Sequence, residues 1–448
     1  MSGFRPTGGL MDLAESLVDF GKACGADEVE VSIVDGYEFN VDVRLGKIED
    51  LVEAGSRAMG LRIIKDKKTA FASSSDMSRA TLRRLVRRAV RRAELANPDP
   101  FSGLAPLTPL TIDIPSLELY DPEVPRLDSK TKIALALESE RIALRDARIT
   151  NSYGAGFVTH EASTILVNSN GFRGEYDQTY CGLSLGLQAG GTDDRVEDFW
   201  SSSKRFFKDL ATPKEVADKA VARTVRQLNP RKIKTQKVPV IFDPTMTSWL
   251  LGFLFSCVAG TAIYQKASFL ADKLGERIGD EKVTVVDGGL LPRELGTRPF
   301  DADGLPSRKT LVMDKGILTH YLCNTYAARK LNCEATGNSS GAGVCPNNFY
   351  LEPGTASAED IIRSTEKGLL LIRALGHGLN PVTGDISRGA FGMWIEGGEI
   401  AYPVSEITVS GNLGEVLRDI ETVGRDIEFL SPVAGPTVKI REMTVAGT

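Results

Sequence analysis

The chain has 448 residues, more than one hydrophobic core ordinarily serves, so two or three domains of roughly 100–200 residues are expected. Hydrophobic residues make up 42% and charged residues 25%, the balance of an ordinary globular protein, which excludes a fibrous or disordered chain. A formal net charge of −5 argues against a global attraction for nucleic acid or an anionic membrane.

The opening residues MSGFRPTGGLMDLAES lack the apolar stretch of a secretory signal, so a cytoplasmic location is expected. Leu10, Leu13, Leu17 and Val18 recur at helical spacing and stop at Gly25, which predicts a helix over 9–24. Val29, Val31 and Ile33 alternate with polar residues, and Asp35-Gly36 reads as a hairpin turn into a second strand through Tyr37, Phe39, Val41, Val43 and Leu45. Another strand pair is expected at 57–64 and 69–74, then a helix from Ser78 to about Ala96. Seven arginines between Arg79 and Arg92 sit opposite Leu82, Leu85, Val86, Ala89 and Val90 on that helix. No aromatic residues interleave with them for base stacking, so the stripe reads as a solvated or interface-facing surface and no nucleic-acid partner is expected.

Seven prolines between Asn97 and Pro125 forbid regular helix and mark a linker, 97–125, between subdomains 1–96 and 126–230. A helix over about 128–147, strands near 154–168, a turn at Ser169-Asn170-Gly171 and strands to about 189 follow. Thr212-Pro213-Lys214-Glu215 is a capping box with proline in the first turn, opening a helix that ends at Asn229-Pro230. A second domain, 231–448, is β-rich with helices at about 245–275, 324–331, 357–374 and 412–421. The fold class is therefore α+β: a mixed N-terminal domain over 1–230 and a β-rich C-terminal domain. From Pro244 to Gln265 the chain has no charged residue and enough length to span a bilayer. Thr245, Thr247, Ser248, Ser256 and Thr261 interrupt it, so a buried helix is expected and no membrane.

Six widely spaced cysteines with no C-x-x-C pair are neither a disulfide framework nor a zinc cluster and fit a reducing compartment. His160-Glu161 is half of a zincin pair without its second histidine, and the flanking pattern reads as strand. There is no G-x-S-x-G elbow, and nothing in the spacing joins Ser387 or Cys345 to His377.

The C-terminal half has a recognisable texture. VPVIFDP at 238–244, YQKASFLADKLGERI at 264–278 and PFDADGLPSRKTLVMDKGILTHYLCNTYAARKL at 299–331 are followed by EATGNSSG at 334–341, TGDISRGAFGMWIEGGEIAYPVSEITVSGNL at 383–413 and KIREMTVAG at 439–447. Together they resemble the TldD/PmbA family of bacterial and archaeal proteases, over nearly the whole chain. In that family the TldD branch carries a His-Glu-x-x-x-His helix and a late cysteine that hold zinc, and the PmbA branch, also called TldE, lacks them. Here Leu251, Gly252, Ser256 and Cys257 lie around the motif positions, and no cysteine follows Cys345. GDISRGA at 384–390 is similar to the PmbA branch.

The resemblance implies a TldD/PmbA-like fold and a non-catalytic subunit of a heterodimeric zinc metalloprotease. No cofactor is expected in this chain, and zinc is expected in the TldD-like partner, where the metal would polarise the scissile carbonyl and the glutamate would take a proton from water. Substrates implied are unfolded or short peptides, among them leader peptides of microcin-like peptides and unstable antitoxins. Gly384, Asp385, Ser387 and Arg388 are candidates to face substrate or partner; the plainer account of 384–389 is a tight turn with a buried Asp–Arg pair. Two further readings stay open. One is an independent hydrolase, homodimeric in isolation, with a non-zinc site drawn from Asp385, Ser387, Arg388 or His377; the other is a peptide-binding adaptor.

Overall fold

The computed structural model describes residues 9–191 and 195–447. Residues 1–8, part of the opening from which the absence of a leader was read, lie outside the described residues. The N-terminal half contains, in chain order, α1 (Leu10–Ala23), β1 (Glu28–Arg44), β2 (Lys47–Lys65), β3 (Lys68–Ser74), α2 (Arg79–Leu95), α3 (Ser129–Ala143), β4 (Ile149–Asn168), β5 (Arg173–Ala189), β6 (Val196–Lys204) and α4 (Pro213–Val225). The six strands form one antiparallel sheet, β3-β2-β1-β4-β5-β6. The segments on the two sides of the proline-rich linker thus share a sheet, joined by the β1–β4 ladder from Glu30↔Asn168 to Val43↔Ala155.

The hairpin expected at Asp35-Gly36 does not form: β1 runs straight through it as one 17-residue strand. Asp35 is paired on both sides, with Arg57 of β2 and Ser163 of β4, and a doubly paired ladder outweighs local turn chemistry. The turn comes instead at Leu45 and Gly46, both in the left-handed region with φ 48 and 74.

Odd-numbered residues of β1 point to one face throughout, as the period of two requires. Val29, Val31 and Ile33 pack there with α1 and α2, and Phe39, Val41 and Val43 pack with α3 and α4. One sheet thereby carries two successive cores. The capping box at the start of α4 forms as expected: Glu215 N–H donates to Thr212 Oγ1 and Thr212 N–H to Glu215 Oε2.

The C-terminal half runs β7 (Gln236–Phe242), α5 (Pro244–Val258), α6 (Gly260–Tyr264), β8 (Val285–Gly288), β9 (Lys309–Asp314), β10 (Ile317–Leu318), α7 (Thr325–Leu331), β11 (Phe349–Leu351), α8 (Ala358–Arg363), β12 (Lys367–Leu375), β13 (Leu379–Asn380), β14 (Asp385–Glu396), β15 (Glu399–Asn412), α9 (Leu413–Arg418), β16 (Ile420–Val423), β17 (Val433–Ala434) and β18 (Val438–Ala446). The pairings β12–β7, β7–β18, β18–β15, β15–β14 and β14–β12 close on themselves. Closure leaves those strands no free edge within the ring. A second sheet, β10-β9-β8-β11-β17, lies beside it. The α+β, strand-rich character expected from sequence holds.

Two expected helices are shorter than predicted. The helix placed at 357–374 is α8 followed by β12, because Leu369–Ile372 is an apolar run buried on both faces between β7 and β14. The helix placed at 245–275 breaks at Ala259, where Gly260 N–H donates to Leu322 O and Leu322 N–H to Val258 O. No described helix is long and apolar enough to cross a membrane.

The linker is packed rather than free. Among its described residues there are two short 3-10 turns, at Ile114–Leu117 and Val124–Arg126, and Leu104, Ala105, Leu117 and Leu119 are buried. Arg329 of α7 donates to the carbonyls of Phe101, Gly103 and Leu104 at 2.6–3.1 Å, and Tyr326 Oη donates to Asp99 at 2.6 Å. Short α7 therefore clamps the linker to the C-terminal domain.

Candidate functional site

Helix α5 is the element on which the lost zinc motif was placed. Asp243 caps it by accepting Met246 N–H at 2.9 Å, and Pro244 occupies its first turn. Leu250, Leu251, Leu254, Cys257 and Val258 are buried in the core. A spacing of four puts Ser248, Gly252 and Ser256 on the opposite stripe. With Trp249, Phe253, Leu379 and Pro381, these three line a groove of about 570 Å³. The four motif-related positions thus separate: Gly252 and Ser256 face the groove, and Leu251 and Cys257 face the core.

The groove's polar atoms are already engaged. Ser248 Oγ donates to Pro244 O at 2.8 Å and Ser256 Oγ to Phe253 O at 2.6 Å. A Cβ added at Gly252 would meet nothing within 4 Å. Cys257 is fully buried and burial pushes its thiol up to about 11, so it is a neutral thiol behind the helix. Zinc needs about four histidine, thiolate or carboxylate donors around one point, and a groove whose hydroxyls, those of Ser248, Ser256 and Ser431, are all engaged with carbonyls supplies none. The residues present do not fit the metal. Among the described residues no group of three His, Cys, Asp or Glu is placed to hold one.

The second candidate group begins β14. Gly384 has φ 82, and its N–H donates to Asn380 O at 2.7 Å. Asp385 is exposed and accepts from Thr383 Oγ1 at 2.6 Å and Asn412 Nδ2 at 3.1 Å, bonds that hold its carboxyl below the usual range. The buried Asp–Arg pair expected here is absent, because residues three apart in a strand lie on opposite faces. Arg388 instead donates from Nε to Leu375 O at 3.1 Å and lies 5.0 Å from the centre of the Trp249 ring. Through Trp249 it borders the α5 groove; Asp385 and Ser387 are on the other face. His377 is exposed before β13. His160 and Glu161 lie within β4, His160 stacked on Tyr180 and Glu161 buried with a hydrogen bond from Tyr120.

A cluster that the motifs did not bring together lies between the halves. The even-numbered face of β1 turns Glu30, Ser32 and Val34 toward the C-terminal domain, where they line a cavity of about 1050 Å³ with Arg62, Asp301 and Asp303. Arg62 lies 3.1 Å from Glu30 Oε2 and 3.4 Å from Asp303 Oδ1. Asp301 accepts Ser339 N–H at 2.8 Å and Leu305 N–H at 3.0 Å. Burial, opposed by Arg62, raises the Glu30 carboxyl to about 7, and burial with the neighbouring Asp303 raises Asp301 to about 6. Asp301 and Asp303 sit in the PFDADG run, but nothing in spacing ties them to Glu30 and Arg62, which lie far earlier in the chain.

Profiles of three PmbA/TldA metallopeptidase domains match in order: domain 1 over residues 29–93, the central domain over 122–228 and the C-terminal domain over 235–447. The metalloprotease PmbA of Escherichia coli O157:H7 is 36% identical over 428 residues, covering 95% of this chain and 93% of that protein. This chain belongs to the PmbA/TldD family. The PmbA homolog of Haemophilus influenzae is 34% identical over 429 residues, with the same coverage of both chains. The fold matches the crystal structure of TldE from Thermococcus kodakarensis with a TM-score of 0.87 at 21% identity, covering 97% of this chain and 100% of that one. As a PmbA/TldD family chain it has metalloprotease relatives over 95% of its length, and its own α5 groove lacks the donors a metal site uses.

Proposed function

We propose that this chain is the non-catalytic subunit of a two-chain zinc metalloprotease of the cytoplasm, assembled with a TldD-like partner that carries the zinc. Its work is to complete the chamber in which unfolded or short peptides, such as leader peptides and unstable antitoxins, are held for cleavage. The observation that carries this reading is the α5 groove, whose lining stripe of Ser248, Gly252 and Ser256 offers neither metal ligand nor general base. The intact family pattern around that groove supports a retained structural role.

An open edge supports assembly. Every residue of β2 from Lys47 to Ala58 is exposed; β1 pairs with it on one side, and β3 begins pairing only at Met59. Unpaired main-chain groups of this kind are a template on which a strand of another chain can add. Leu51 and Val52, 43% and 40% exposed, lie along it.

A second reading, an independent hydrolase, draws on the cavity between the halves, where Glu30 titrates near neutrality beside two further carboxylates. The experiment that separates the two is peptidase activity of the purified chain alone and after mixing with a TldD-like chain. Activity that appears only in the mixture and survives Glu30→Gln supports the subunit reading; activity of the lone chain that Glu30→Gln abolishes supports the other.

A further inference from the structure

We propose that Cys323 and Cys333 are a reversible thiol–disulfide site, closed by a hydroperoxide and reopened by a dithiol. Their Sγ atoms lie 3.8 Å apart and both thiols are free. Rotation of the exposed Cys333 side chain has to close about 2 Å to reach bonding distance.

The fold builds the pair from the two ends of α7. Cys323 immediately precedes Asn324, which caps α7 by accepting Ala327 N–H. Its sulfur is fully buried against Gly260, where an added Cβ would lie 2.5 Å from Sγ. At the other end Asn332 adopts φ 51, Asn332 N–H donates to Arg329 O at 3.4 Å and Cys333 N–H to Ala328 O at 3.0 Å. This is the left-handed stop that reverses the chain after a helix. Returning, the chain ties itself beside Cys323: Cys323 N–H donates to Thr336 Oγ1 at 2.8 Å and Thr336 N–H to Cys323 O at 3.0 Å. Cys333 is thereby exposed and Cys323 lies beneath it.

That is the arrangement of a reacting thiol and a resolving thiol. The hydrogen bond with Cys323 holds the Cys333 thiol down to about 7, and the same contact with burial holds Cys323 up. The Cys333 thiolate attacks a peroxide oxygen; the O–O bond breaks, leaving a sulfenic acid and an alkoxide or hydroxide that takes a proton. The Cys323 sulfur then attacks the Cys333 sulfur, the S–S bond forms, and the hydroxyl leaves as water with the Cys323 proton. The two thiols give up two electrons in all, and the peroxide accepts them. Exchange with a dithiol reverses the oxidation. Because α7 is the clamp on the linker through Arg329 and Tyr326, the closed bridge ties both ends of that clamp.

The test is mass spectrometry of the native full-length chain after mild hydrogen peroxide, alkylation and digestion. The expected result is a Cys323–Cys333 linked peptide, two hydrogens lighter, that dithiothreitol reopens, together with slower amide exchange across 325–331. In C323S the same dose should leave Cys333 as a sulfenic acid that dimedone traps. Sulfinic acid at Cys333 in the wild-type chain, a link from Cys333 to Cys345 or to a second molecule, or unreacted thiols at both positions would overturn the proposal.

Discussion

Glu30 shows how a single side chain reports on its surroundings. Its carboxyl is held up to about 7 in the fold against an ordinary value of 4.5, chiefly by burial. The folded state therefore binds that proton more tightly, so the contribution of Glu30 favours folding below pH 4.5 and is lost as pH rises through about 7. Glu30→Gln is predicted to flatten this component: between about pH 5 and about pH 8 the urea midpoint of the variant should fall less than that of the wild-type chain. An equal fall in both would mean that Glu30 ionises normally. Gly252 tests the groove in the same way. Mid-helix glycine is costly and a methyl there meets nothing within 4 Å, so Gly252→Ala should raise stability by about 1 kcal/mol in urea unfolding. Sequence placed Gly252, Ser256, Leu251 and Cys257 on one helix. Leu251 and Cys257 are buried in the C-terminal core cluster, and the small-residue stripe of Ser248, Gly252 and Ser256 was the signal in the sequence for the side that faces the groove.

At the scale of elements, legibility followed how local the determining forces were. The α4 capping box is a four-residue signal and formed as read. The Asp35-Gly36 turn is equally local in appearance, yet ladders on both sides of β1 overrode it. A clue was present: Val29 through Val43 keep one parity, whereas a two-residue turn would have moved Phe39 to the face opposite Ile33. Residues 367–375 carried no comparable clue, because a strand buried on both faces and a buried helix are both continuous apolar runs. The packing of the linker was not legible for a related reason: proline content forbids helix but says nothing of the carbonyls that Arg329 binds. Arg329→Ala removes three charge-assisted hydrogen bonds. Limited proteolysis should then cut within 97–125 about tenfold faster, by the scale on which roughly 1.4 kcal/mol of local opening corresponds to a tenfold population change. An unchanged cleavage rate would show that the linker is held elsewhere.

At the scale of the whole molecule, the structure closes one set of edges and leaves another open. The C-terminal ring β12-β7-β18-β15-β14 has no free edge within it, while Lys47–Ala58 of β2 lies open along its whole length. In the two-chain assembly proposed for this protein, the amides of 47–58 are expected to exchange more slowly once the partner binds; unchanged exchange there would place the contact on another surface. Family membership was legible from the C-terminal motifs alone, because backbone-dictated runs such as PFDADG stay together in sequence. The cavity of Glu30, Arg62, Asp301 and Asp303 was not, because the Glu30–Arg62 pair of the N-terminal sheet meets Asp301 and Asp303 only when that sheet docks on the C-terminal domain.

The most direct measurement is bound zinc and peptidase activity of the purified chain, alone and mixed with a TldD-like chain from the same source. The expected result is a lone chain without stoichiometric zinc and without activity, and a mixture that forms a stable zinc-containing complex cleaving unfolded peptides. Stoichiometric zinc in the lone chain, or hydrolysis by it, would contradict the claim that this subunit has no metal site of its own.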